Sequence, residues 1–222
     1  MGPAGTNLIM TPPTEAIPLV PQRMRDAGEV LAKAFYDDPH WSWVFPGEAR
    51  RAQVMPWFMA TLAKYCRRHG EAYTTAGEVQ GAALWIAPGR YSQSALAMML
   101  SGLALVPLKF GPAAFGRLAS SLDCYERLRK RDVPPRHWYL PTLGVDPPRQ
   151  GQGIGGALLQ PVLARADAED LWCYLETEKE KNVPFYQSHG FEVAAEGDLP
   201  GNGPHFWTMR RKPQEQPHPS SR

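Results

Sequence analysis

The sequence predicts an α/β fold: one mixed, mainly antiparallel twisted sheet flanked by helices. Three observations carry this. Early apolar runs are joined by tight turns, as antiparallel strands are. Later runs are separated by a helical pattern, as parallel neighbours are. A chain of 222 residues with 43% hydrophobic and 10% aromatic residues can bury one substantial core. Residues 16–211 are therefore expected to form a single domain, between a disordered leader at 1–15 and a disordered Pro- and Ser-rich tail at 212–222.

Each element has its own signal. Met24, Ala27, Val30/Leu31 and Ala34/Phe35 recur at helical spacing, and Asp37-Asp38-Pro39 stops that helix. Val54, Trp57/Phe58, Thr61/Leu62 and Tyr65 mark a second helix, which either starts or kinks at Pro56. Ala72–Thr75 and Val79–Ile86 read as strands joined at Gly77. Residues 91–132 read as a helical insertion broken by Pro107 and Gly111-Pro112. Its uncharged part, Tyr91–Leu108, is too short in apolar residues to span a bilayer and is expected to pack as a helix beside a pocket. Trp138–Val145 is strand-like, and Gly151–Gly156 opens a helix reaching about Ala168. Leu171–Leu175 is a strand, and Val183–His189 is a short helix stopped by Gly190. Phe191–Ala195 and His205–Met209 are two closing strands.

Composition excludes several functions. Lys+Arg 24 against Asp+Glu 22 leaves a formal charge of +2, which fits neither a dedicated nucleic-acid binder nor a membrane-surface protein. Cys66, Cys124 and Cys173 are odd in number and form no CxxC pair. With no signal-peptide pattern, they point to a reducing, cytoplasmic setting without a disulfide framework. The six histidines lack His-x-x-x-His spacing, so no metal site is expected. Monomer and homodimer both stay open.

The informative stretch is Val145-Asp146-Pro147-Pro148-Arg149-Gln150-Gly151-Gln152-Gly153-Ile154-Gly155-Gly156. A strand enters a glycine-rich loop and a helix starts at once. Free amides at such a helix start, reinforced by the helix dipole, form a phosphate cradle. Gly151, Gly153 and Gly156 also fit the dinucleotide pattern G-x-G-x-x-G, with Glu176 20 residues on. Against that reading, only 66 residues follow Gly156, too few for a run of βα units. Ala157-Leu158 stands where a Walker motif needs Lys and Ser/Thr.

Gln150-Gly151-Gln152-Gly153-Ile154-Gly155 is similar to the Q/R-x-x-G-x-G/A motif of the GNAT superfamily of N-acetyltransferases. Leu175-Glu176-Thr177, then Asn182-Val183-Pro184-Phe185-Tyr186 and Gly190-Phe191, resembles that family's second signature, closest in detail to puromycin N-acetyltransferase-like members. The resemblance covers roughly residues 137–211 and implies a GNAT-like sheet and acetyl-coenzyme A as acetyl donor. It also implies residue roles. Leu143 and Val145 would offer backbone groups to the pantetheine arm, across a strand that Pro141 and Gly144 leave bulged and partly unpaired. The amides of Gly151, Gln152, Gly153, Ile154, Gly155 and Gly156 would take the pyrophosphate, with Arg149 and Gln150 beside them. Asn182 would reach the coenzyme arm, and Tyr186 would protonate the departing thiolate.

The base that frees the amine is expected at Glu176, with His137 as a second candidate. Asp37, Asp38, His40 and Trp41 are expected at the acceptor pocket. The function so implied is acetyl transfer to a primary amine of a small molecule, without nucleic-acid or membrane partners. A protein or peptide amine, a catalytically silent acetyl-coenzyme A-binding module, and a nucleotide-dependent oxidoreductase are the alternatives.

Overall fold

The computed structural model describes residues 15–91 and 101–214. The expectations for residues 1–14, 92–100 and 215–222, including most of the leader and tail and the middle of the uncharged segment, lie outside the described residues.

In chain order the elements are β1 (Ala16–Pro18), α1 (Met24–Ala34), α2 (Pro39–Val44), α3 (Glu48–His69), β2 (Gly70–Thr75) and β3 (Gly81–Ile86). There follow α4 (Val106–Phe110), α5 (Pro112–Asp132), β4 (His137–Val145), α6 (Ile154–Ala168), β5 (Trp172–Thr177), α7 (Val183–Gln187), β6 (Glu192–Asp198) and β7 (His205–Arg211). The seven strands form one sheet in the order β1-β2-β3-β4-β5-β7-β6. Only β4 and β5 run parallel, with α6 as the crossover. The mixed, mostly antiparallel sheet flanked by helices is the fold class that the turn and glycine patterns predict.

Two elements differ from expectation. β1 carries no strand pattern of its own in three residues and exists through its pairing with β2, Ala16↔Thr75 to Pro18↔Tyr73. The second helix does not start at Pro56, the first of the two expected alternatives; α3 runs through it for 22 residues. The boundary after α1 follows from Asp38, whose carboxylate accepts the His40 N–H at 3.1 Å and caps α2, with Pro39 in the first helical position.

Strand alternation sorts the core into two faces. Ala82, Leu84 and Ile86 of β3, Tyr139 of β4 and Tyr174 of β5 join α1 and α3 on one face. Ala83, Trp85, Trp138, Leu140, Cys173 and Leu175 pack against α6 on the other. Gly144 lets α1 lie close on β4: a Cβ there would meet Leu31 Cδ2 at 2.8 Å and Ala34 Cβ at 2.9 Å.

A buried ion pair locks the last strand to α6. Arg211, 3% exposed, donates Nη1–H to Asp167 Oδ1 at 2.6 Å and Nη2–H to Oδ2 at 2.7 Å. Its Nε–H reaches the His189 carbonyl at 3.0 Å, and Gln214 N–H adds a bond to Asp167 at 2.8 Å. Burial works to raise the Asp167 pKa, but these donors outweigh it and hold it below the usual value. Removing one partner of such a pair strands the other charge, at a cost of about 3–5 kcal/mol. Asp167→Ala should therefore lower the unfolding midpoint by roughly 5–10 °C in differential scanning calorimetry. A shift under ~1 °C would mean that the pair is not holding β7 to α6.

Candidate active site

The cleft begins where two strands part. β4 pairs with β3 as far as Gly81↔Val145, but its register with β5 ends at Leu140↔Leu175. Beyond that point β5 continues along β7, to Thr177↔Trp207. The slip lies at Pro141. Leu84↔Thr142 and Ile86↔Tyr139 place one extra residue on β4, and Pro141 has no N–H to give a ladder. Leu143 and Val145 thus border a gap on the side facing β5, and both line a cavity of about 1350 Å³.

The glycine loop closes one end of that cavity. Gly151 (φ 77°) and Gly153 (φ 79°) take left-handed conformations, and space stays open where a side chain would project from either. Gly153 precedes α6, so the Ile154, Gly155 and Gly156 amides have no partner within the helix. Gly155 and Gly156 are small for a different reason. A Cβ on Gly155 would meet the Phe185 ring at 3.1 Å, and one on Gly156 would meet His189 Nε2 at 2.7 Å, so α7 packs on the start of α6. Gln150 donates to the Val145 carbonyl at 3.1 Å and lines the cavity. The exposed Gln152 side chain instead donates to Pro148 O at 3.4 Å and is not among the lining residues.

Across the gap, Asn182 donates Nδ2–H to Thr177 Oγ1 at 3.0 Å, tying the end of β5 to the start of α7. Tyr186 is buried on α7 between Phe185 and Phe191 and faces the cavity. Burial, then the Glu178 and Asp38 charges, push its phenol well above the ordinary value, so it stays protonated. Gly190 (φ 85°) ends the turn.

Alternation along β5 past Tyr174 puts Glu176 on the face shared with Tyr139, and Glu178, just past the end of the strand, lines the same cavity. Burial raises Glu176 to about 7, against the Tyr139 hydrogen bond and the Arg129 charge, which lower it. Its Oε1 is buried without a hydrogen-bond partner among the described residues. Burial and the Asp38 charge raise Glu178, which accepts a short bond from the Tyr125 hydroxyl. Asp38 is raised by its own burial.

Of the remaining expected acceptor residues, Trp41 and His40 line the cavity, whereas Asp37 is exposed and does not. His40 is committed elsewhere. Ser121 spends its hydroxyl proton on Leu118 O at 2.8 Å, so its oxygen accepts from His40 Nε2–H at 2.9 Å. Burial lowers His40 to about 4, leaving a neutral ring that joins α2 to α5. His137 lies outside the cavity lining. Its Nδ1–H donates to Pro134 O at 2.6 Å and its Nε2 accepts from Arg129 Nη1 at 3.2 Å. It orients Arg129, whose guanidinium sits 4.2 Å over Tyr91 and 5.0 Å over Tyr139.

Glu178, Tyr125, Tyr139 and Arg129 are the residues that motif reading missed. Glu178 had a signal, being two residues from Glu176 on one strand face. Tyr125 and Arg129, inside a helix without a motif, had none.

Residues 113–193 match the family model described as an acetyltransferase (GNAT) domain. This match and the relatives below support a GNAT superfamily N-acetyltransferase. A Schizosaccharomyces pombe protein named as an uncharacterised N-acetyltransferase is 26% identical, over 75% of this chain and 70% of its own length. The solved Corynebacterium glutamicum structure described as histone acetyltransferase HPA2 and related acetyltransferase superposes with TM-score 0.65 at 23% identity, covering 92% of this chain and 98% of that one. Polyamine N-acetyltransferase of Drosophila melanogaster superposes with TM-score 0.61 at 14% identity, covering 89% and 98%. At these identities the likeness of the structures is one of GNAT fold.

Arg129 is the cation that keeps Glu176 from rising further. In Arg129→Met, carbon-detected NMR titration of the Glu176 carboxyl should find its midpoint at least about one pH unit higher than in the wild type. An unmoved midpoint would show that Arg129 does not act on it.

Proposed function

We propose that this GNAT protein transfers an acetyl group from acetyl-coenzyme A to a primary amine of a small molecule. The observation that carries the reading is a juxtaposition. A gap between splayed strands, ending in free helix-start amides, opens beside a buried pocket that holds Glu176, Glu178 and Tyr186. The donor chemistry fits the residues present. The Leu143 and Val145 backbones can pair with an amide-bearing arm as a further strand would, and the 151–156 amides can receive a pyrophosphate. The thioester supplies an activated acyl group with a thiolate leaving group. Asn182 stands where the arm would pass.

The protein's own share is proton handling. A bound ammonium passes a proton to Glu176, freeing the nitrogen lone pair to attack the thioester carbonyl carbon. As the C–N bond forms and the C–S bond breaks, Tyr186 donates its proton to the departing sulfur. The second proton of the nitrogen leaves as the amide forms and restores the Tyr186 hydroxyl, and Glu176 releases its proton to solvent, so one amide, one thiol and one proton are the products. Burial suits both groups: it lifts Glu176 toward neutrality, where a base works best, and keeps Tyr186 protonated as a donor. The burial of Glu176, Glu178 and Tyr186 at the acceptor end favours a small molecule over a protein tail.

The test is thiol release against pH. For the wild type, kcat/KM should rise as pH increases through about 7, where Glu176 loses its proton, and then level off. In Glu176→Gln the rate should fall by ~10²–10⁴ and that limb should vanish. Tyr186→Phe should lose rate at the low end of that range with unchanged coenzyme affinity. An intact acid limb in Glu176→Gln would remove it as the base.

A further inference from the structure

We infer that the acceptor is a primary monoamine on an apolar body, its ammonium held by Glu178; this rests on the acetyl-transfer reading of the same cleft. Five carboxylates line the cavity: Asp38, Asp123, Glu126, Glu176 and Glu178. Four have a cation of the protein beside them. Lys179 acts on Asp38 and Arg129 on Glu176. Arg127 lies 3.5 Å from Asp123, and Lys130 lies 2.7 Å from Glu126. The groups acting most strongly on Glu178 are Asp38, the Tyr125 hydroxyl and Glu176, with no cation among them. Glu178, whose side-chain partner on this wall of the cavity is the Tyr125 hydroxyl, is the lining carboxylate that an incoming ammonium can pair with. A second ammonium would have to displace a side chain that already serves.

The rest of the acceptor lobe fits an apolar body. Phe115, Leu118 and Leu122 recur at helical spacing on α5 and face the cavity, and Trp41, Phe58 and Leu103 line it as well. Phe115 is 37% and Leu122 43% exposed, an apolar rim at the cavity's open side. The amides of a peptide laid along these side chains would lose water and gain no hydrogen bond, and a distal ammonium would meet Asp123 and Glu126 already paired with Arg127 and Lys130. An aliphatic or aromatic body would gain from each methylene buried. The buried, unpartnered Oε1 of Glu176 stands ready for the proton, leaving Glu178 to hold the charge before transfer.

The experiment compares pentylamine, 2-phenylethylamine, 1,5-diaminopentane and a short peptide with a free N-terminus, each with acetyl-coenzyme A, by thiol release. Coenzyme binding is measured separately by calorimetry. The two monoamines should exceed the diamine and the peptide at least tenfold in kcat/KM. Glu178→Gln should raise the monoamine KM at least tenfold, with a smaller change in kcat and unchanged coenzyme binding. Leu122→Glu, at an exposed position, should raise kcat/KM for the diamine and lower it for pentylamine. Preference for the diamine or the peptide, or a monoamine KM unmoved in Glu178→Gln, overturns the substrate assignment while acetyl transfer stands. Absence of coenzyme binding, or of thiol release with every amine, overturns the acetyl-transfer reading and this one together.

Discussion

The parting of β4 from β5 is the constraint on which the rest of the molecule depends. A parallel pair that stayed in register past Leu140↔Leu175 would close the sheet and bury the groups that the cleft uses. The gap follows from local chemistry. Pro141 cannot donate to a ladder, the extra residue of β4 bends that strand, and Gly144 lets α1 lie close on it. β5 remains in the sheet because β7 pairs along its other edge, as far as Thr177↔Trp207. The buried Arg211–Asp167 pair then fixes β7 against α6, so the two walls of the gap are braced through the same helix.

The electrostatics divide along that gap. On one side are helix-start amides with Arg149, suited to an anionic ligand. On the other, buried carboxylates face tyrosines and apolar rings, suited to a cation. Burial is the common cause of the unusual titration on the second side. It raises Glu176, Glu178 and Tyr186 and lowers His40, because a dry pocket disfavours each charged form. Tyr139 and Arg129 limit the effect on Glu176. Burial thereby brings the Glu176 carboxyl to about 7 and holds the Tyr186 phenol in its protonated form.

The parts of this arrangement legible in the sequence are those fixed locally. Four glycines in six residues after a strand announce the loop and helix start, since only glycine tolerates the left-handed turns at 151 and 153. Asn182 and Tyr186 come with a motif, and both line the cavity. Asp37 and Asp38 show the opposite case. Adjacent and alike in sequence, they part because Asp38 turns inward to cap α2 and Asp37 stays in water. Tyr125 and Arg129 reach the site by the packing of α5 across the sheet, a long-range event for which no local pattern exists. His40 reads as an acceptor-pocket residue, and only its partner Ser121, 81 residues away, shows that its ring is also committed to joining two helices.

The central claim is that the strand gap and the glycine loop form one binding surface for the coenzyme. Backbone amide NMR of the ¹⁵N-labelled protein, titrated with coenzyme A, tests it most directly. We expect saturable shifts concentrated at Leu143–Val145 and Gly151–Gly156, with Asn182 following at the same ligand concentration. Shifts that leave the 143–145 and 151–156 amides unmoved, or no saturable shift anywhere, would contradict it.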